Sequence, residues 1–225
     1  MRKQIVRVAI LLSGLIFGTS KTYSEYWSEF GLKKTMIKPI YLDIESQGRF
    51  KSGVSDIYYF KTEVGPILKV NEFMEVGFYY VDEEKKGEEE WQTTNTLSLY
   101  ENFSIKLLGL HLSDRNRFDY EDFEFFKYRN LLKMKKPFVI YEVSTHYGHY
   151  PTIWRIIPCV QEEIFYDFKE NNFNENRLLA GVSFEIYRLL DFRIAGMLQS
   201  QRDKEWTHKG SLVTTLQLNF LEEEN

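Results

Sequence analysis

Residues 176–200, NRLLAGVSFEIYRLLDFRIAGMLQS, alternate between apolar and polar side chains. The even-numbered positions from 178 to 186 and from 190 to 198 carry no charge, whereas the odd-numbered ones include Arg177, Glu185, Asp191 and Arg193. Successive side chains of a β-strand point to opposite faces, so this period of two predicts two strands. A short connection at 187–189 keeps the parity, and the predicted hairpin has one apolar wall and one charged wall.

The same alternation recurs along the chain and predicts about ten antiparallel strands. They lie around residues 40–45, 58–63, 74–80, 97–99, 108–117, 126–129, 155–167, 178–186, 190–198 and 212–220. The longer segments, such as 108–117 and 155–167, reach the roughly 9–11 tilted residues with which a strand crosses a membrane. We therefore predict an all-β fold, an antiparallel up-and-down transmembrane β-barrel of about ten strands. The alternative is twelve strands, if residues 135–153 supply extra strand.

Charged segments separate several of the predicted strands. Residues 82–90, 169–176 and 202–209 are rich in acids, bases and amides. With the N-terminus on the periplasmic side, these segments are predicted to be long outward loops, and the turns near 101–103 and 187–189 to be short periplasmic ones.

The first 24 residues, MRKQIVRVAILLSGLIFGTSKTYS, have the three parts of an export signal. Arg2, Lys3 and Arg7 are followed by an apolar run and then by small residues. An anchor helix is the alternative, but the apolar run is too short to cross about 30 Å of hydrocarbon. We predict a cleaved signal peptide over 1–24 and a single outer-membrane barrel domain over 25–225, located in a bacterial outer membrane.

Composition narrows the range of partners. Phe and Tyr together number 33, which suits strands and interfacial aromatic belts. Loss of residues 1–24 would remove four bases and no acid, taking the formal net charge from −4 to −8 and arguing against nucleic acid. Cys159 is the single cysteine, so no disulfide forms within the chain. The expected partners are outer-membrane lipid and the barrel-assembly machinery, and no ligand is indicated.

The two faces of the strands have different predicted surroundings. The apolar face is expected to meet lipid at Leu108, Leu110, Leu112, Val182, Phe184, Ile186, Phe192, Ile194, Leu216, Leu218 and Phe220. The charged face is expected to form a polar cluster in the lumen from Arg115, Arg117, Asp119, Glu121, Lys127, Arg129, Arg177, Glu185, Asp191 and Arg193. Parity alone also fits a soluble lipocalin-like barrel or a β-sandwich, in which the apolar face would point inward.

The charged cluster has two interpretations. About ten strands enclose little more than their own side chains, and opposite charges attract strongly away from bulk water. We therefore favour a filled, charge-paired lumen over an open channel. The predicted function is that of a structural or surface-interaction barrel, with a narrow channel or transport protein for small solutes or ions as the alternative.

No arrangement of residues indicates an enzyme. An outer-membrane lipid hydrolase would need a Ser-His pair, and His111 and Ser113 share a strand face. That face is the charged, lumenal one, where lipid esters would not reach. No His/Cys cluster has zinc spacing, and no Gly-rich phosphate loop follows a strand. The prediction is a non-enzymatic protein with no catalytic residue, metal or cofactor; a lipid hydrolase is the remaining, weaker alternative.

Three fragments resemble a known family: DRNRFDYED at 114–122, KYRNLL at 127–132 and NENRLLAGVSFEI at 174–186. They are similar to bacterial outer-membrane β-barrel proteins grouped as domain of unknown function 2490, over roughly residues 90–220. The resemblance implies a barrel in the outer membrane and no established activity. The chain departs from that pattern at its end, where LEEEN follows Phe220, and in the length of segment 135–153.

Overall fold

The computed structural model describes residues 25–51, 56–87, 90–143, 152–186, 189–202 and 205–221, and the predicted signal peptide lies outside them. The regular structure of these residues is entirely β. The strands are β1 (Glu25–Ile37), β2 (Ile40–Lys51), β3 (Asp56–Lys69), β4 (Met74–Lys86), β5 (Trp91–Leu107), β6 (Leu110–Glu121), β7 (Phe125–Lys135), β8 (Phe138–Val143), β9 (Thr152–Asp167), β10 (Asn172–Ile186), β11 (Leu190–Arg202) and β12 (Trp206–Phe220). Among the described residues, no helix is long and apolar enough to cross a membrane.

The strands close into a barrel with eleven positions around the ring. Each strand from β1 to β6 pairs with the next, β7 pairs with β9, and β9 to β12 lead back to β1. β8 takes no position of its own, because β7 pairs with residues 159–167 of β9 and β8 pairs with 152–156 on the same edge. Pro137, which lacks a backbone N–H, lies at the break between β7 and β8.

The predicted strand number, ten with twelve as the alternative, is wrong. The ten predicted segments correspond to β2–β7 and β9–β12, and the strand that was missed is β1. Its outward face carries Ser28 and Lys34 and its inward face carries Trp27 and Gly31, which blurs the alternation. Segment 135–153 does contain a further strand, β8, but that strand only continues β7 along β9.

An odd number of ring positions forces one parallel pair, because antiparallel neighbours alternate in direction. That pair is β1 with β12, in register from Glu25 opposite Ser211 to Lys34 opposite Phe220. Glu25 and Phe220 therefore lie at opposite ends of the barrel. We call these ends the Glu25 end and the Phe220 end.

The connections are short at both ends, apart from 136–151. Those near 52–55, 87–90, 122–124, 168–171 and 203–205 lie at the Glu25 end. The predicted long outward loops are largely strand, since β4 runs to Lys86 and β5 begins at Trp91. They also lie at the same end as Glu25, contrary to the prediction, because the missed β1 adds one crossing before them.

The turn between β5 and β6 consists of Leu108 and Gly109, with φ of 51° and 76°. Two central residues with positive φ are typical of the tight turn that matches strand twist. Leu108 is 91% exposed in this turn and does not lie in a strand as predicted. The turn predicted near 101–103 lies inside β5, so that prediction is wrong too.

The alternation of side chains places polar groups inside the barrel and apolar groups outside. On β10, Ser183 is 1% exposed whereas its neighbour Phe184 is 38% exposed. On β11, Met197 is 6% exposed and Leu198 is 49% exposed. A lipocalin-like barrel has the opposite arrangement, with an apolar interior. A small apolar cluster does lie inside, formed by Trp27, Cys159, Leu179, Ala195, Met197 and Val213.

Candidate functional site: the polar lumen

The barrel encloses a cavity of about 290 Å³. Charged side chains from β1, β2, β3, β6, β7, β9, β10 and β11 line it. This volume is near the lower end of the range for small-molecule pockets, roughly 300–1,000 Å³. The lumen is therefore partly filled by side chains and partly open.

Arg117 on β6 is the centre of the largest network inside the barrel. Its Nη1 lies 2.6 Å from Oε2 of Glu63 on β3, and its Nε lies 2.6 Å from Oδ1 of Asp119. Its Nη2 donates to Oγ of Ser98 on β5 at 2.8 Å, and the same hydroxyl donates to Asp119 at 2.5 Å. The guanidinium therefore joins three strands through charge-assisted hydrogen bonds, which are stronger than neutral ones.

Two further cations complete this network. Arg129 on β7 forms an ion pair with Asp119, with 2.5 Å between Nε and Oδ2. Lys61 on β3 pairs with Glu63. Asp119 and Glu63 are 1% and 3% exposed, so each buried carboxylate contacts two cations. Pairing of this kind offsets the cost of removing the charges from water.

A second network links both sides of the parallel pair. Arg193 on β11 contacts Oε2 of Glu29 on β1 at 2.9 Å, and its Nη1 donates to Oε1 of Gln161 at 3.2 Å. Thr215 on β12 donates to Glu29 at 2.7 Å, and Gln47 on β2 donates to the other oxygen of Glu29 at 2.8 Å. The first and last strands of the barrel, β1 and β12, are thus joined by side chains as well as by backbone pairing.

A third group lies towards the Glu25 end and combines charge with aromatic rings. The guanidinium carbon of Arg49 lies 3.8 Å from the ring centroid of Trp27 and 3.9 Å from that of Tyr59. The guanidinium carbon of Arg177 lies 5.1 Å from the ring centroid of Trp27, and Arg177 pairs with Glu163 and Glu175. Cation–π contacts of this kind stabilise desolvated cations.

The structure brings only part of the predicted lumen cluster together. Arg117, Asp119 and Arg129 form the central network, and Arg115, Arg177, Asp191 and Arg193 also line the cavity or its networks. Three predicted residues, Glu121, Lys127 and Glu185, are not among the residues that line the cavity. Glu121 pairs with Lys127 near the Glu25 end, and Glu185 pairs with Arg155 near the Phe220 end.

Several lumenal residues were missed by the sequence analysis. Glu29, Glu45 and Glu63 supply much of the acidic wall, and all three lie on β1–β3. Glu45 and Glu63 were on the charged face of predicted strands, so parity was a usable signal for them. Glu29 was lost with β1.

The residues predicted to meet lipid take several environments. Phe184 and Phe220 are 38% and 46% exposed on the outside. Leu110, Leu112, Val182, Phe192, Ile194, Leu216 and Leu218 are partly exposed, Leu108 lies in a turn, and the side chain of Ile186 lies outside the described residues.

One polar cluster interrupts the apolar outer face on β6 and β7. Asn130 donates to Asp114 at 2.6 Å and to Asn116 at 3.1 Å, and Tyr128 donates to Asn116 at 2.5 Å. Because these groups form hydrogen bonds with one another, the free energy needed to place them in an apolar environment is lower.

One Ser-His contact occurs among the described residues. Ser200 and His208 are cross-strand neighbours on the outer face, with 2.9 Å between Oγ and Nδ1. Among the described residues, no ion pair is formed between His208 and a carboxylate. Likewise, no group of three potential metal ligands occurs among the described residues. His146 and His149 lie outside them.

The fold and the lumen together define the class of protein: a closed, mostly antiparallel eleven-stranded β-barrel with a charged interior and an apolar exterior. Within that class, the chain belongs to the family described as protein of unknown function (DUF2490), whose model matches residues 24–208. The match confirms the family resemblance and begins well before the 90–220 region on which it was based. No curated protein and no solved structure matches the chain.

Proposed function

We propose that the protein is an outer-membrane β-barrel, exported by a cleaved N-terminal signal, that acts as a structural or surface-interaction barrel without catalysing a reaction. The observation that carries the proposal is the inverted polarity of the barrel. Large apolar side chains such as Phe78, Leu99 and Leu178 are 49%, 48% and 46% exposed on the outside. A closed barrel in lipid satisfies its backbone groups while exposing such a surface.

Aromatic side chains at the Glu25 end support the same proposal. Tyr120 stacks on Phe126 at 4.6 Å, and Tyr166 packs edge-on against Phe173 at 5.0 Å. Trp91 and Trp206, at the starts of β5 and β12, are 44% and 46% exposed. Aromatic girdles of this kind lie at the interface between membrane and water.

Cell fractionation tests this proposal. The mature protein is expected to start near residue 21 or 25, to be recovered with the outer membrane, and to migrate faster on gels unheated than boiled. Recovery as a soluble periplasmic protein, with no difference between unheated and boiled samples, would refute it.

The second candidate function, a narrow channel for small solutes or ions, is favoured by the open volume of about 290 Å³. Planar-bilayer recording of the refolded protein separates the two. Steady unitary currents would favour the channel, whereas a silent bilayer containing folded barrel would favour the structural role.

A further inference from the structure

Among the described cations that line the cavity, three lack a carboxylate partner. Lys61, Arg117, Arg129, Arg177 and Arg193 each form an ion pair with an acid. Within the described residues, Arg115, Lys133 and Lys135 also line the cavity but have no acid within 4.0 Å.

These three side chains lie on one wall, formed by β6 and β7. Lys133 and Lys135 are two residues apart on one face of β7, which places their Cα atoms about 7 Å apart. Lys133 is opposite Ser113 on β6, and Arg115 is the next inward residue on that strand. On its other side Lys133 is opposite Gln161 of β9, so neutral hydrogen-bonding groups flank it on both sides.

The three cations repel one another, because they lie close together and none of them is paired with an acid in the part of the chain that the structure describes. The side chains of three other cations, Lys135, Arg193 and Arg115, line the same cavity as that of Lys133. Arg193 already contacts Glu29, but among the described residues Arg115, Lys133 and Lys135 form no ion pair. Uncompensated charges in a confined lumen are costly, and a bound anion would remove that cost.

Arg115 has a hydrogen-bond donor that no described group uses. Its Nε is buried and has no hydrogen-bond partner, while its guanidinium carbon lies 4.7 Å from the ring centroid of Tyr100. Glu45 on β2 is the carboxylate that acts most on Arg115, but it does so from beyond ion-pair distance. The arginine thus has charge and a donor left for a ligand.

We propose that Arg115, Lys133 and Lys135 form a binding site for a small soluble anion bearing phosphate or carboxylate oxygens. The ammonium groups of the two lysines and the guanidinium supply charge-assisted donors, and the amide nitrogen of Gln161 supplies a neutral one. The carboxylate of Glu45 on β2 also lines the cavity and would repel an anion. The negative charge of the ligand must therefore point towards β6 and β7. The site does not depend on the location of the barrel, so it can be tested independently of the proposed function.

The test uses the full mature chain refolded in detergent micelles. The thermal unfolding midpoint is measured in sodium phosphate, in sodium acetate and in sodium chloride at matched ionic strength. We expect phosphate, acetate or both to raise the midpoint in a saturable manner, because a ligand that binds only the folded state stabilises it. The more effective anion identifies the oxygen chemistry that the site prefers.

The Lys133→Gln/Lys135→Gln variant should weaken the apparent affinity for that anion at least about tenfold. It should also unfold at a higher temperature than the wild type in chloride, since it has lost a repulsion. Lys133→Arg, which keeps the charge, should retain the response. A matched control is Lys34→Gln/Lys85→Gln, which removes the same charge from exposed positions and should respond like the wild type.

Two results would overturn the site. One is the absence of any specific shift in the wild type with either anion. The other is an equal shift in the wild type and in the Lys133→Gln/Lys135→Gln variant, which would place binding elsewhere. If the variant does not fold, Arg115→Gln in the same assay decides the question, because it removes a different cation of the site.

Discussion

Arg117 illustrates how a single residue can organise the interior of a small barrel. It is 8% exposed and contacts Glu63, which is 54 positions away in the sequence, as well as Asp119 on its own strand. Its role depends on both contacts at once. At this scale the lumen is held by specific pairs, each of which can be broken by one substitution.

Arg117→Ala is expected to lower the free energy of unfolding by about 3–5 kcal/mol, because removal of one partner from a buried pair leaves a charge uncompensated. Urea unfolding of the refolded barrel measures the loss. The control is Lys127→Ala, whose pair with Glu121 is partly exposed and should contribute about 0–1 kcal/mol. Equal losses for the two variants would contradict a charge-paired lumen, and unchanged stability with altered ion selectivity would favour the channel.

Gly77 on β4 is required by a close approach of an aromatic ring. A Cβ at this position would lie 2.2 Å from Cε1 of Tyr100, and that ring stacks on Tyr79 with 5.3 Å between centroids. Gly77→Ala should therefore destabilise the barrel by about 1–3 kcal/mol through overpacking. Chemical denaturation measures this effect. In a Tyr100→Leu background the same substitution should cost less, and strict additivity of the two changes would argue against the contact.

At the scale of the strand, parity decides which environment a side chain meets. Along β10 and β11 the inward row contains Ser183, Ala195 and Met197, and the outward row contains Leu178, Phe184 and Leu198. A shift of register by one residue would exchange these rows. A charge placed on the outward row is therefore a direct probe of the surroundings of the barrel.

Phe184→Arg is expected to destabilise the barrel in lipid by about 2–4 kcal/mol, if this position lies near the middle of the bilayer. The cost arises from placing a charge in hydrocarbon. Phe173→Arg, at the Glu25 end of the same strand, is the control and should cost about 0–1 kcal/mol, because it lies near the interface. Folding titrations in lipid vesicles measure both. A similar cost at the two depths would count against a membrane-embedded outer face.

Single cysteines give an independent test of the same strands. In a Cys159→Ser background, a lipid-soluble maleimide should label cysteines at positions 182, 184 and 194 and should spare those at Ser183 and Arg193. The reason is that the first three positions face outward and the last two face the lumen. Mass spectrometry of the labelled protein gives the yields. Labelling without a period of two would contradict the strand assignment.

For the whole molecule, the odd number of ring positions has a consequence that an even-numbered barrel lacks. Because β1 and β12 run parallel, the chain enters the barrel at one end and leaves it at the other. In a membrane, the two termini of the barrel would then lie on opposite sides. Most bacterial single-chain barrels have an even strand number, and the mitochondrial channel with 19 strands is an odd-numbered example.

Epitope tags placed immediately before Glu25 and after Leu221 should therefore differ in accessibility on intact cells. One tag should be cleaved by external protease, and the other only after the outer membrane has been permeabilised. Immunoblots against the two tags provide the measurement, and a periplasmic protein that remains intact before permeabilisation is the control. Protection of both tags, or cleavage of both, would mean that the chain crosses the membrane an even number of times.

The sequence by itself determined which side chains share a face, because alternation is a local property of each strand. It also predicted ten of the eleven ring strands and the family to which the chain belongs. Only the tertiary structure decided which face is inside, since the parity of β10 and β11 is the same in a lipocalin-like barrel. It also decided the closure of β1 on β12 and the pairing of Arg117 with Glu63. These contacts depend on strand number and register around the whole ring, which no local pattern contains.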